Sequence, residues 1–159
     1  MKLFYKIIII FGTTIFSAFF LIAISLTLYL TYRIPFNNYY LKTFQNNFRQ
    51  SIKSFHPAQS SLIAEMAETG NFGESNHCDF LAGEFRASPF SKEVLQKIYP
   101  DDFLTAGVYF IDDDIFMDYP YNEWKEKYLR DYKPKENENV YLVWVADEDN
   151  SPDGDIRCH

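Results

Sequence analysis

Residues 7–32 form an uninterrupted run of 26 residues without a charge, IIIIFGTTIFSAFFLIAISLTLYLTY. A hydrocarbon layer about 30 Å thick needs roughly 20 apolar residues in helical form, so the run predicts a helix spanning a bilayer with some tilt. A helix satisfies its own backbone groups without water. The hydroxyls of Thr13, Thr14, Ser17, Ser25, Thr27 and Thr31 can likewise bond to carbonyls of the preceding turn. A cleaved signal peptide is the competing reading. Against it, the run exceeds an ordinary h-region, and the small-residue site Ala23-Ile24-Ser25 is followed by further apolar residues. The expectation is an uncleaved single-pass anchor in the cytoplasmic membrane, with residues 1–6 as a short cytoplasmic tail.

Charge divides sharply behind this run. Residues 1–34 carry Lys2, Lys6 and Arg33 and no acid, leaving 12 of the 15 basic and all 22 acidic side chains to the remainder. So acidic a domain argues against nucleic acid, whose phosphates need a basic surface. Its aromatic richness, part of 16 Phe and 12 Tyr in the chain, argues for a packed core rather than disorder. Lys2 and Lys6 lie on the amino side of the span, Arg33 and Lys42 on the other. With the amino terminus counted, this biases the domain outwards, a bias that disappears once Arg49 is included. The domain is expected on the extracytoplasmic side.

Pro35 is expected to end the spanning helix. From about Asn37 to Phe55, Tyr40, Leu41, Phe44, Phe48, Ile52 and Phe55 recur at helical spacing, while Lys42, Arg49 and Lys53 share another face. Residues 33–56 contain no acid, so this basic amphipathic helix either lies on an anionic membrane surface through Lys42, Arg49 and Lys53 or packs on the domain with its basic side solvated. Packing of 36–56 against the domain of residues 57–159 is the favoured alternative. A short helix is expected from Gln59 to Thr69 with Leu62, Ile63 and Met66 inward. It is followed by a loop at 71–76 and a strand from His77 to Arg86 in which Gly83 weakens pairing or marks a bulge. A helix from Ser88 or Ser91 to Tyr99 should bury Val94, Leu95 and Ile98, and Gly107–Ile111 should form a strand. Asn122 should cap a helix to Tyr132. Val140–Ala146 is continuously apolar and predicts a central strand buried on both sides. The turn Ser151-Pro152-Asp153-Gly154 predicts a last strand, 155–158, folding back on it. The sum is an α+β chain: one transmembrane helix, then a small, mostly antiparallel sheet with helices packed on one face.

Cys78 and Cys158 are the only cysteines. In an oxidising compartment two such residues in one domain pair, closing a loop of about 80 residues worth roughly 4 kcal/mol by chain entropy. His77 beside Cys78 and His159 beside Cys158 also make a four-ligand set for zinc. Adjacent strand residues point to opposite faces, however, so both members of a pair rarely reach one metal. A thiol nucleophile at Cys78 would need His56 or His159 folded against it, which no local pattern indicates.

Two apolar strands each run into acids, Asp112, Asp113 and Asp114 after the first and Asp147, Glu148 and Asp149 after the second. Were those ends adjacent, their carboxylates would crowd one rim and attract a hard cation. Asp149-x-Ser151-x-Asp153-Gly154-x-Ile156 matches the first eight positions of a calcium loop, but the chain supplies no Glu at the twelfth. Solvated strand ends that blunt edge pairing account for the same acids. A weak Ca or Mg site using Asp112, Asp113, Asp114, Asp147, Asp149, Asp153, His77 and Asp79 is the one cofactor worth testing; none is otherwise expected. Asn76, His77, Asp79, Glu84 and Arg86 form the densest polar stretch and are the expected contact surface for a partner. The functional expectation is a membrane-anchored extracytoplasmic accessory or interaction domain, held in lipid through 7–32 and facing a membrane-protein partner. The alternative is a divalent-metal-binding domain or metal-dependent enzyme.

Overall fold

The computed structural model describes residues 2–72, 78–99, 108–117, 120–150 and 155–158. Helix α1 (Lys2–Thr31) covers the apolar run, and large apolar side chains from Phe4 to Tyr29 are exposed along it. It is long and apolar enough to cross a membrane. Thr13 and Thr14 donate to the Ile10 carbonyl, Thr27 to that of Ala23 and Thr31 to that of Thr27. After a turn at Tyr32 and Arg33 comes α2 (Ile34–Ile52). Pro35 therefore opens the second helix, where a missing N–H leaves no bond unmade.

Four strands follow: β1 (Ser61–Gly70), β2 (Cys78–Ser88), β3 (Val108–Phe110) and β4 (Asn139–Asn150). They pair antiparallel in the order β1-β2-β4-β3, so β4 is central as its apolar run predicts. α3 (Lys92–Ile98) and α4 (Tyr121–Leu129) complete the domain, with short 3-10 turns at Asp114–Met117 and Ile156–Cys158. Along β2 every residue is buried. One sheet face presents Ala82, Phe110, Tyr141 and Val143 to Phe48 and Ile52 of α2 and Leu95 of α3. The other presents Met66, Leu81, Phe85, Leu142 and Trp144 to Trp124 of α4. Helices thus cover both faces, not one, because residues 140–145 of β4 alternate apolar side chains to both sides and β2 adds Ala82 on one side and Leu81 and Phe85 on the other.

Several local expectations give way to long-range pairing. The segment from Gln59 to Thr69, expected as helix, falls mostly in β1: nine of the residues of β1 pair with β2, which outweighs the helix propensity of Ala, Glu and Met. Leu62 is exposed there and Met66 buried. Gly83 is not a bulge, since the register shifts lie at Leu62/Ala64 and Cys78/Phe80. It is a point of close approach, where a Cβ would stand 2.8 Å from the Trp144 Cβ and 2.9 Å from the Val143 carbonyl oxygen. In α3, Leu95 and the following Tyr99 are buried, whereas Val94 is exposed. Pro120, not Asn122, occupies the cap position of α4. Residues 156–158 form a 3-10 turn rather than a strand.

Candidate functional site

Beneath the end of α2 lies a cluster of polar side chains on the face that β2 and β4 turn towards that helix. Glu84 and Arg86 are two apart on β2, so alternation points both to one side. The register sets Arg86 opposite Tyr141 and Glu84 opposite Val143. Tyr99 ends α3, His56 follows α2, and Ser60 closes a turn in which its N–H donates to the Pro57 carbonyl. Arg86 Nη1 donates to Glu84 Oε2 at 2.5 Å, and His56 Nε2 lies 3.2 Å from the same oxygen. The other imidazole nitrogen, Nδ1, is 3.0 Å from the Tyr99 hydroxyl. Tyr99 and Tyr141 hydroxyls stand 3.3 Å apart, Tyr141 is 2.9 Å from Ser60 Oγ, and Arg86 Nε donates to Ser60 Oγ at 2.8 Å. Six side chains from β2, β4, the end of α3 and two turns are therefore joined in one network.

Its electrostatics follow from burial. Desolvation alone would raise the Glu84 carboxyl, but hydrogen bonds from His56 and Arg86 and their charges hold it below the ordinary value of 4.5. Burial, with the bond to Tyr141, pushes the Tyr99 hydroxyl well above its ordinary value. A serine, an imidazole and a carboxylate are all present, as in a hydrolytic relay. The bonds run otherwise. His56 engages Glu84 and Tyr99, while Ser60 engages Arg86 and Tyr141, so the serine–imidazole contact that would activate a nucleophile is not made among the described residues. The cluster holds α2 and α3 to the sheet.

A second constellation lies at the start of α2. Cys78 and Cys158 form a disulfide, with Cα atoms 4.9 Å apart. Beside it the fully buried Asp155 accepts from Asn37 Nδ2 at 2.8 Å and from Arg157 Nη2 at 2.6 Å, and Arg157 Nη1 donates to Asn38 Oδ1 at 2.8 Å. Burial opposes ionisation of Asp155, yet Arg157 and Asn37 hold it below its usual range. Cys78, Cys158 and Asp155 crowd together like metal ligands, but both sulfurs are bonded to each other and offer no thiolate. The C-terminal turn is thus clamped to the helix that continues the apolar segment.

The acid rim does not assemble. Antiparallel pairing places Phe110 opposite Tyr141, so Asp112, Asp113 and Asp114 follow β3 near the start of β4. Asp147 is six residues further along β4, about 20 Å away. Asp112 and Asp113 instead accept from Lys92 at 2.8 and 3.0 Å, and Asp147 accepts from the Tyr40 hydroxyl. Asp79 is buried and accepts from the Phe72 N–H at 2.7 Å. Asp79, Glu84 and Arg86, expected on a contact surface, are all buried, because β2 is covered on both faces and both edges. Asn76, His77 and Asp153 lie outside the described residues, as does the Asp149 side chain. Lys42, Arg49 and Lys53 are all exposed, and Arg49 pairs with Glu65 of β1.

The sequence reading missed Glu68. On the α4 face it accepts from Trp124 Nε1 at 2.9 Å, Tyr128 hydroxyl at 2.8 Å and Lys127 Nζ at 2.6 Å. Lys127 and Tyr128 of α4 meet it across the sheet face, a contact that no local spacing announces. Comparison of the chain with protein-family models, curated proteins and solved structures gives no match.

Proposed function

We propose that the protein is a single-pass membrane protein whose α1 spans the cytoplasmic membrane and whose sheet domain serves outside the cytoplasm as an accessory module contacting another envelope component. The observation that carries this reading is the contrast between α1 and the domain. α1 exposes its apolar side chains along its length, whereas both sheet faces are covered without it. Exposed apolar surface of that extent needs lipid or protein around it. The disulfide supports the outer side, since such bonds persist in oxidising compartments. The polar groups of the cluster around Glu84 and Arg86 support a scaffolding rather than a catalytic role there, each being engaged by a neighbour.

The test uses the full chain in its native membranes. Alkaline carbonate should leave it in the pellet, and protease added outside the cytoplasmic membrane should digest the domain. Photo-crosslinkers at exposed Leu62 and Ile156 should trap discrete adducts. Release by carbonate, protection from protease, or silence at every exposed position would each contradict the corresponding part of the reading.

A further inference from the structure

Where α1 passes into α2 the surface changes character in a narrow band. Tyr29, Tyr32, Phe36 and Tyr39 are 61%, 45%, 65% and 76% exposed. The turn between the helices keeps helical bonding, from Tyr32 N–H to the Leu28 carbonyl and from Asn37 N–H to that of Arg33, so their spacing of three, four and three residues sets them in one column. The next positions of that column, Thr43, Asn46 and Gln50, are polar and exposed. The preceding positions, Ser25, Ile22 and Ala18, belong to the apolar run. Leu41, Phe44, Phe48 and Ile52, which pack on the domain, lie on a different side of the helix. Arg33 stands among the aromatics, its guanidinium carbon 5.5 Å from the Tyr32 ring centre. No acid occurs between Arg33 and His56.

We propose that Tyr29, Tyr32, Phe36, Tyr39 and Arg33 form a lipid-headgroup band that fixes the depth of the helix in an anionic bilayer. This rests on the anchor reading above. Three observations favour lipid over a second copy of the chain. The column is aromatic only between the apolar and polar stretches, as a layer of limited depth requires, whereas a helix–helix seam would stay apolar along α2. The band is continuous with the exposed apolar surface of α1. Its one charged member, Arg33, is basic and complementary to anionic headgroups. From Tyr29 to Tyr39 the helix rises about 15 Å. Side chains lean towards the helix amino terminus, here the membrane side, which draws the Phe36 and Tyr39 rings back about one turn towards the lipid.

The experiment uses the full oxidised chain in phosphatidylcholine–phosphatidylglycerol vesicles. The disulfide leaves no free cysteine, so Tyr39→Cys, Asn46→Cys and Leu21→Cys each add one thiol for a bimane fluorophore. Nitroxide lipids labelled at the headgroup or deep in the acyl chain are the quenchers. The expected result is several-fold stronger headgroup quenching at position 39 than at 46, with position 21 quenched by the deep label. Equal, weak quenching at 39 and 46 with position 21 still quenched would overturn the band and leave the anchor standing. Loss of quenching at position 21 as well would overturn the anchor and the band with it. Predominant disulfide-linked dimers of the unlabelled Tyr39→Cys variant would overturn the lipid assignment in favour of a second copy.

Discussion

Replacing Glu84 by Gln should damage the domain more than removal of any solvent-exposed charge. Glu84 and Arg86 side chains are 5% and 10% exposed, so solvent cannot take over from the lost partner. Gln keeps the volume but leaves the guanidinium facing a neutral amide in a dry site, with His56 also deprived of its anion. Breaking one side of a buried pair costs about 3–5 kcal/mol. For a domain of this size that lowers the melting temperature by about 10 °C or more. Arg86→Met in the same background removes the stranded charge, and the double variant should recover a large part of the loss, though Arg86 also serves Ser60. The assay is urea unfolding of the full chain in detergent under oxidising conditions, followed by Trp124 and Trp144 fluorescence. A loss below about 1 kcal/mol for Glu84→Gln would mean that the pair behaves as a surface ion pair, and the account of the cluster as a fastening would fail.

Other outcomes follow from the same geometry. Glu84 and Asp155 are held below their ordinary values of 4.5 and 3.8, so the unfolded chain takes up protons first as pH falls. Their contribution should be complete above those values and disappear progressively below them; urea midpoints across the acid range check this, and Glu84→Gln should flatten the slope. Serine at both Cys78 and Cys158 should cost about 4 kcal/mol by chain entropy and loosen the hold of the C-terminal turn on Asn37 and Asn38, read by urea midpoint and by proteolysis at the C-terminus. Gly83→Ala should destabilise by about 1–3 kcal/mol in the same unfolding assay, because its Cβ meets a backbone carbonyl and the base of Trp144 rather than a yielding side-chain tip.

The parts of the fold legible in the sequence are those fixed by local pattern. The charge-free run declares α1, and the continuous apolar stretch at 140–146 declares a central β4. The helical spacing of Phe44, Phe48 and Ile52 declares the buried side of α2. Residues 61–70 were illegible because Leu62, Ile63 and Met66 fit helical spacing, while strand formation there depends on partners in β2. The acid rim failed for a related reason: a strand's direction relative to its neighbour is a property of the sheet. Spacing did place Glu84 and Arg86 on one side of β2, yet their burial depends on α2 and on His56, Ser60, Tyr99 and Tyr141 arriving from separate segments. Exposed polarity and buried polarity read alike in one dimension.

The central claim is that one chain retains its apolar segment in lipid and carries its domain where cysteines oxidise. Intact-mass measurement of protein extracted from washed membranes, alkylated before and after reduction, tests both halves together. The account predicts a species that includes residues 7–32, takes no alkyl group before reduction and takes two afterwards. A species starting beyond the apolar segment, or one alkylated twice without reduction, would contradict it.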